Sequence, residues 1–418
     1  MPRDADRRRL LSLAAIAAVG LAALVAGVVV GAGHDTEEAA GGPVPEAGRA
    51  EPRTRVSFLA RILPPAAPVR EDEPRGPSVP RNVVDLARRL PVERKVAQLF
   101  VFGFPGQSTN AELFGRLRRL DIGGFELTPA NATDPAQAGA LAAGIRRVAR
   151  RSGRVPPLVL ASQPGGELNT LAGLPPALPP ADIASAREAA SGALDSGRAL
   201  RELGVTGVLG PSVDVGLEAG TPLGAEVYSD DPEEVAAFAQ ATVRAYRRAR
   251  MFSSVEHFPG IGGADQSTDA GPASVGLDVA QLRDRDLIPF RAAIRAGVPA
   301  VTLGHALYPF SDFTVPASLS RVAATGLLRR ELGFEGVALT DDLADPAVST
   351  LVSVPDAAVR AVRAGADMVR ISGPAGDQQA AYVAVLRAVR DGRIERARLD
   401  EAIGRILVAK RNYGLLRG

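Results

Sequence analysis

Two adjacent aspartates, Asp341 and Asp342, close the short apolar run GVALT at residues 336–340. A strand sends successive side chains to opposite faces, so a carboxylate at its end can face a ligand while its neighbour faces the wall. Cleaving a glycosidic bond with retained configuration uses two carboxyl groups about 5 to 5.5 Å apart, one nucleophilic and one acidic. By spacing alone an equal reading stands beside it: a helix N-cap plus a strand-end hydrogen bond, which one Asp of such a pair commonly supplies. A second candidate is the run EHFPGIGGAD at residues 256–265, continued by Ser267, Thr268 and Asp269. A strand ends there in His257, and a Pro-Gly turn with clustered glycines opens a long loop able to approach a ligand or act as a lid. A lone histidine at such a place is more often a buried, hydrogen-bonded residue than a catalyst. The glycines signal phosphate only weakly, since no Lys follows them.

These residues need elements to hold them. From residue 85 onward, short β-rich runs alternate with Arg- and Ala-rich helical patterns, which predicts a parallel sheet with crossover helices. Strands are expected at 99–104, 124–127, 158–162, 207–215, 252–257, 300–305, 336–341 and 368–372, with helices at 232–250 and 279–296 among those between them. Eight such units fit a closed (β/α)8 barrel of the TIM type; an open doubly wound sheet is the alternative, but it wants a Gly-rich phosphate turn after its first strand, and Phe104-Pro105-Gly106-Gln107 is not one. In a barrel the chemistry belongs at the C-terminal strand ends. The polar residues there are Ser162, Gln163, Asp214, Glu256, His257, His305, Asp341 and Asp342.

Composition narrows the function classes. With 49 Lys plus Arg against 47 Asp plus Glu, the net charge of +2 gives no case for nucleic acid. The absence of cysteine excludes disulfides, thiolate metal sites, a cysteine nucleophile and a lipid-modified N-terminal Cys. Three histidines, His34, His257 and His305, are too few for a His-rich metal site, so neither metal nor cofactor is expected. Residues 10–33 form an uncharged stretch of 24 behind Arg3, Arg7, Arg8 and Arg9. That length crosses a hydrocarbon core of about 30 Å, which favours an uncleaved single-pass anchor over a cleavable signal and puts the rest outside the cytoplasm. Residues 34–84, rich in Pro, Gly and charge, read as a disordered linker, with one apolar patch, RVSFLARIL at 55–63, able to dock on the barrel or lie on the membrane. Residues 1–33, 34–84 and 85–418 are thus anchor, linker and barrel, read as a monomer.

Taken together, the segments resemble glycoside hydrolase family 3, in its single-domain bacterial β-N-acetylglucosaminidase (β-hexosaminidase) form. The similar stretches are LPVERKVAQLF at 90–100, Phe104-Pro105-Gly106, Gly165-Gly166, GPSVDV at 210–215, HFPG at 257–260, Leu319-Ser320, TDDL at 340–343, AGADMV at 364–369 and RLDEA at 398–402. The resemblance implies that Asp341 is a covalent nucleophile, that His257 and His305 line a pocket, and that the substrate is a carbohydrate derived from cell wall or other glycans.

The sequence also departs from the family's pattern. Ser162 stands where the family places an Asp that grips sugar hydroxyls, and Glu167 and Glu226 stand at positions usually held by Arg. Glu256 replaces the Lys before HFPG, and Ile261 replaces a His. The family's acid/base Asp and His fall here on Ser267 and Asp269. Three cationic positions turned anionic are expected to raise the pKa of Asp341 and weaken it as a nucleophile. Two readings follow. One is an active retaining β-glycosidase with Asp341 as nucleophile, Asp269 as an improvised acid and a substrate shifted from N-acetylglucosamine, bound by His257, His305, Glu256, Glu226 and Ser162. The other is a catalytically degenerate, membrane-anchored domain that binds glycan or serves as a scaffold. A cytoplasmic barrel with a phosphorylated cofactor conflicts with the anchor and the missing phosphate turn.

Overall fold

A computed structural model describes residues 80–416, apart from 109–111, 218–219 and 312–314. The expected anchor, nearly all of the linker and the 55–63 patch lie outside the described residues, among which no helix is long and apolar enough to cross a membrane.

Eight parallel strands close into a barrel in sequence order. They are β1 (Phe100–Phe102), β2 (Gly124–Leu127), β3 (Leu158–Ser162), β4 (Gly207–Ser212), β5 (Phe252–Phe258), β6 (Ala300–Leu303), β7 (Val337–Asp342) and β8 (Met368–Ile371). β1 closes on β8 through Phe100–Val369, Val101–Arg370 and Phe102–Ile371. The strands are buried almost throughout, as expected when helices cover one face and packed side chains fill the other. The open-sheet alternative is thereby excluded.

All eight expected strands are present, and the deviations have local causes. β4 was expected to reach residue 215 but ends at Ser212, just beyond a register shift at Leu209 and Gly210. Beyond it the chain turns inward, and Asp214 becomes a hydrogen-bonding hub. The helix expected at 232–250 is Pro232–Arg248, started by Asp231, whose side chain accepts from the Glu233 and Glu234 N–H groups. The expected helix at 279–296 is two helices, Val279–Asp284 and Leu287–Arg295. Arg285 breaks it. Its guanidinium bonds to the carbonyls of Val215 (2.9 Å) and Gly216 and pairs with Asp286, so helical continuity is given up to tie this corner to the loop after β4.

One large hydrophobic cluster fills the space between strands and helices, with Phe100, Phe125, Phe252, Phe258 and Phe290 fully buried, and a small second one gathers Ile183, Ala189 and Phe238. At the floor, the last helix, Arg396–Asn412, delivers Lys410 to Gln98 Oε1 at 2.7 Å. Packing thus fixes the barrel from below and leaves the opposite rim to the loops.

Candidate active site

The rim is organised around Asp341. Its carboxylate lies at the end of β7, only 5% exposed, and accepts an ion pair from Arg370 of β8 at 2.9 Å. On its other side His257 Nε2, from β5, stands 3.6 Å away. The Asp342 backbone N–H also donates to Asp341, at 3.0 Å. Burial pushes the Asp341 carboxyl up, but Arg370 and His257 outweigh it and hold the group down at about 2. The expectation that surrounding carboxylates would raise this pKa is therefore corrected. The dominant neighbours are an arginine and a histidine that the substitutions do not touch.

Asp342 takes the structural part. Its side chain accepts from the Ala344 N–H at 2.9 Å and the Ser372 N–H at 3.1 Å, clamping the ends of β7 and β8 together. The strand-end hydrogen-bond reading of the aspartate pair thus holds for Asp342, while Asp341 faces the mouth.

His257 is oriented from behind by Asp214. Nδ1–H donates to Asp214 at 2.8 Å, and the backbone N–H of His257 donates to the same oxygen at 3.1 Å. The Ile261 N–H and the Ser212 hydroxyl complete the hub at 2.7 and 3.1 Å. Burial works against a charge on His257, yet Asp214, Glu256 and Asp341 raise its pKa well above the usual imidazole value. Two aspartates, one on each ring nitrogen's side, thus favour its charged form. The HFPG loop needs its glycines for contact: a Cβ on Gly262 would stand 2.0 Å from the Val215 carbonyl oxygen.

His305 is fully buried, which disfavours a charge on its ring. Nε2 meets the Asp342 carbonyl at 2.8 Å, so it must carry the proton, and Nδ1 then accepts from Ser318 Oγ at 2.8 Å. Burial lowers its pKa. With Nδ1 accepting and Nε2 donating, it has no lone pair left for a cation, although one of its nitrogens lies within 4.8 Å of oxygens from both Asp341 and Asp345.

The remaining expected residues divide by position. Ser162, Glu226 and Glu256 line one enclosed cleft, with Gln163, Ser212, Tyr228 and Tyr246 among its walls. Burial, opposed by His257, raises Glu256 to about 8 and also raises Glu226. Glu256 is therefore largely protonated at neutral pH. Glu167 is exposed on the turn after β3. The anticipated swing of charge is thus much reduced. Asp269 is exposed on the β5 loop, its N–H bonded to Ser267 Oγ at 3.2 Å, and it is close enough to Glu226 and Asp345 to raise both.

Three rim residues escaped the sequence reading. Arg370 sits inside β8 and Glu126 inside β2, where Arg370 Nε and Glu126 Oε2 stand 3.5 Å apart. Asp345 begins the short helix Pro346–Ser349 beyond β7. The available signal was a charged residue within an otherwise apolar strand, which burial makes costly unless it is paired.

What these features define is an α/β barrel whose mouth holds a buried carboxylate, kept ionised, beside an imidazole and a guanidinium. Residues 91–409 match the N-terminal domain of glycosyl hydrolase family 3, and the chain belongs to that family. It is similar to a beta-hexosaminidase of Xanthomonas oryzae pv. oryzae, 31% identical over 73% of this chain and 92% of that one. It is likewise similar to beta-hexosaminidase LpqI of Mycobacterium bovis, 30% identical over 83% and 89%. Among solved structures, a family 3 beta-N-acetylglucosaminidase from a Paenibacillus species superposes with a TM-score of 0.76 at 34% identity, across 79% of this chain and 64% of that one. An uncharacterized secreted glycosyl hydrolase of Arthroderma benhamiae is 28% identical over 79% of this chain and 94% of that one.

Proposed function

We propose that this barrel is a retaining β-glycosidase in which the Asp341 carboxylate attacks the anomeric carbon of a β-linked amino sugar. The observation that carries the reading is the environment of Asp341: a carboxylate at the barrel mouth, ionised down to about pH 2 and aimed by Arg370 at 2.9 Å. Retention needs a second carboxyl group as proton donor, and the substitution pattern points to a residue other than the family's dyad, with Asp269 the choice made from sequence. His257 would contact the sugar, whereas His305, expected from sequence to line the pocket, is fully buried with both ring nitrogens bonded within the protein and would instead hold the end of β7 that carries Asp341. Protonated Glu256, with Glu226 and Ser162, can bond hydroxyl or amino groups without a fixed positive charge, which favours a neutral or cationic sugar over an anionic one. The names of the relatives support β-linked hexosamines. The uncharged stretch at residues 10–33 supports an extracytoplasmic site of action, tethered or secreted, where wall glycans are within reach.

The binding-only reading rests on Ser267 and Asp269 standing in the acid/base positions. A panel of chromogenic β-glycosides separates the two, with Asp341→Asn as control. Turnover that falls by roughly 10⁶-fold in the variant, the scale for losing a covalent nucleophile, supports the enzyme. Glycan binding with no turnover of any β-glycoside supports the scaffold.

A further inference from the structure

Asp345 lies four residues beyond Asp341, and one of its carboxyl oxygens falls within 4.8 Å of an Asp341 oxygen. That limit places the two carboxyl groups near enough to act on one sugar, as the pair of a retaining enzyme does at about 5 to 5.5 Å. Its Oδ2 is buried and has no hydrogen-bond partner, and although Asp345 starts a helix its side chain caps no N–H there. A polar atom held out of water without a partner has to be explained, because burial without a hydrogen bond costs free energy. Stability does not explain it here. A substrate atom entering the mouth would.

We propose that Asp345 is the general acid and base of this site, supplying and recovering the proton that the family's missing dyad would otherwise handle. The proposal rests on the glycosidase reading and makes that reading specific.

In the first step an Asp341 oxygen bonds to the anomeric carbon while the bond to the leaving oxygen breaks. The released electron pair takes the proton of Asp345, giving an ester on Asp341 and a carboxylate on Asp345. In the second step Asp345 removes a proton from water, whose oxygen attacks the same carbon. The ester bond then breaks, and the Asp341 carboxylate is restored.

Electrostatics suit both steps. Burial first, then the negative charges of Asp341, Asp342 and Asp269, raise Asp345 to about 8, with Arg370 opposing, so it carries its proton at neutral pH. Esterification removes the charge on Asp341, and with it one of the causes of that elevation. Asp345 therefore becomes the stronger acid once its proton has to go, and a carboxylate free to act as base afterwards. Asp269 is exposed to water, where nothing encloses its carboxyl group against the sugar.

The test compares full-length wild type, Asp345→Asn, Asp269→Asn and Asp341→Asn on two aryl β-glycosides. One carries a dinitrophenyl leaving group, which needs no proton, and the other an alkyl-like one, which does. Asp345→Asn is expected to lose about 10²- to 10⁴-fold on the second substrate. It should keep a rapid first turnover on the first, respond to azide by forming a β-glycosyl azide, and lose the basic limb of the pH profile near 8. Asp345→Asn that keeps the leaving-group dependence and basic limb of the wild type overturns the assignment, most directly if Asp269→Asn changes them instead. Wild type that turns over neither sugar, indistinguishable from Asp341→Asn, overturns the glycosidase reading together with it.

Discussion

At the floor of the barrel, Asp367 accepts from the Ala338 N–H at 3.0 Å, from Arg329 at 2.6 Å, from Arg398 at 2.5 Å and from Arg405 at 3.2 Å. Asp121 is similarly filled by Arg94 and by the Val155 N–H at 2.6 Å. At the mouth, several carboxyl groups are somewhat less deeply placed and far less served. Asp345 Oδ2 has no partner, and Glu126 Oε2 stands 3.5 Å from Arg370 Nε with no hydrogen bond. Glu256 shares its cleft with Glu226. Both ends bury carboxyl groups, but the named floor carboxylates are filled by hydrogen bonds, whereas the mouth, beside the well-bonded Asp214, Asp341 and Asp342, keeps unpartnered oxygens on Asp345 and Glu126. The mouth keeps bonding capacity in reserve. A ligand is the natural recipient of that capacity, and a helix packed over the floor has no use for it.

The contrast can be broken from either end. Asp367→Ala should be the most damaging floor change, leaving three arginines facing one another. About 3 to 5 kcal/mol of unfolding free energy is expected to disappear, read from denaturant midpoints, while the pH profile of any folded fraction stays unchanged. A loss under 1 kcal/mol would show that the floor network is not structural.

Arg370→Met strikes the mouth. It removes the nearest cation from Asp341, so the carboxyl pKa rises from about 2 by roughly one to three units. Because Asp341 must be ionised to attack, the acidic limb of kcat/KM moves to higher pH by the same amount. A limb that stays in place would mean that Asp341 is not the group titrating there.

Glu256→Gln should do least. Burial already raises this carboxyl to about 8, so below that pH the substitution swaps one neutral side chain for another of similar shape. Little change in kcat at pH 6 is expected, with a growing difference above pH 8, where wild type acquires a charge beside Asp341. A large loss at pH 6 would mean that Glu256 works ionised.

Much of this arrangement can be read in the chain itself. The β-rich runs and the turns between them locate every strand, since barrel strands are short and buried on both faces. Asp341 stands out as a carboxylate at a strand end, and HFPG marks the loop beside it. Arg370 and Glu126 do not stand out, because each looks like an interruption of an apolar strand until β8 and β2 are seen flanking β1. Asp345 is invisible for a related reason. Its value depends on being enclosed among Asp341, Asp342 and Arg370, and enclosure is a property of the folded rim. The broken helix at Arg285 has the same origin, a distant pair of carbonyls that no local pattern encodes.

The nucleophile carries the account, and chemical trapping addresses it without relying on relative rates. An activated fluorosugar of the β series, incubated with the full-length chain, should leave a glycosyl adduct on the peptide containing Asp341, released slowly with retained configuration. An adduct on another residue, or turnover that inverts the anomeric centre without any adduct, would contradict it.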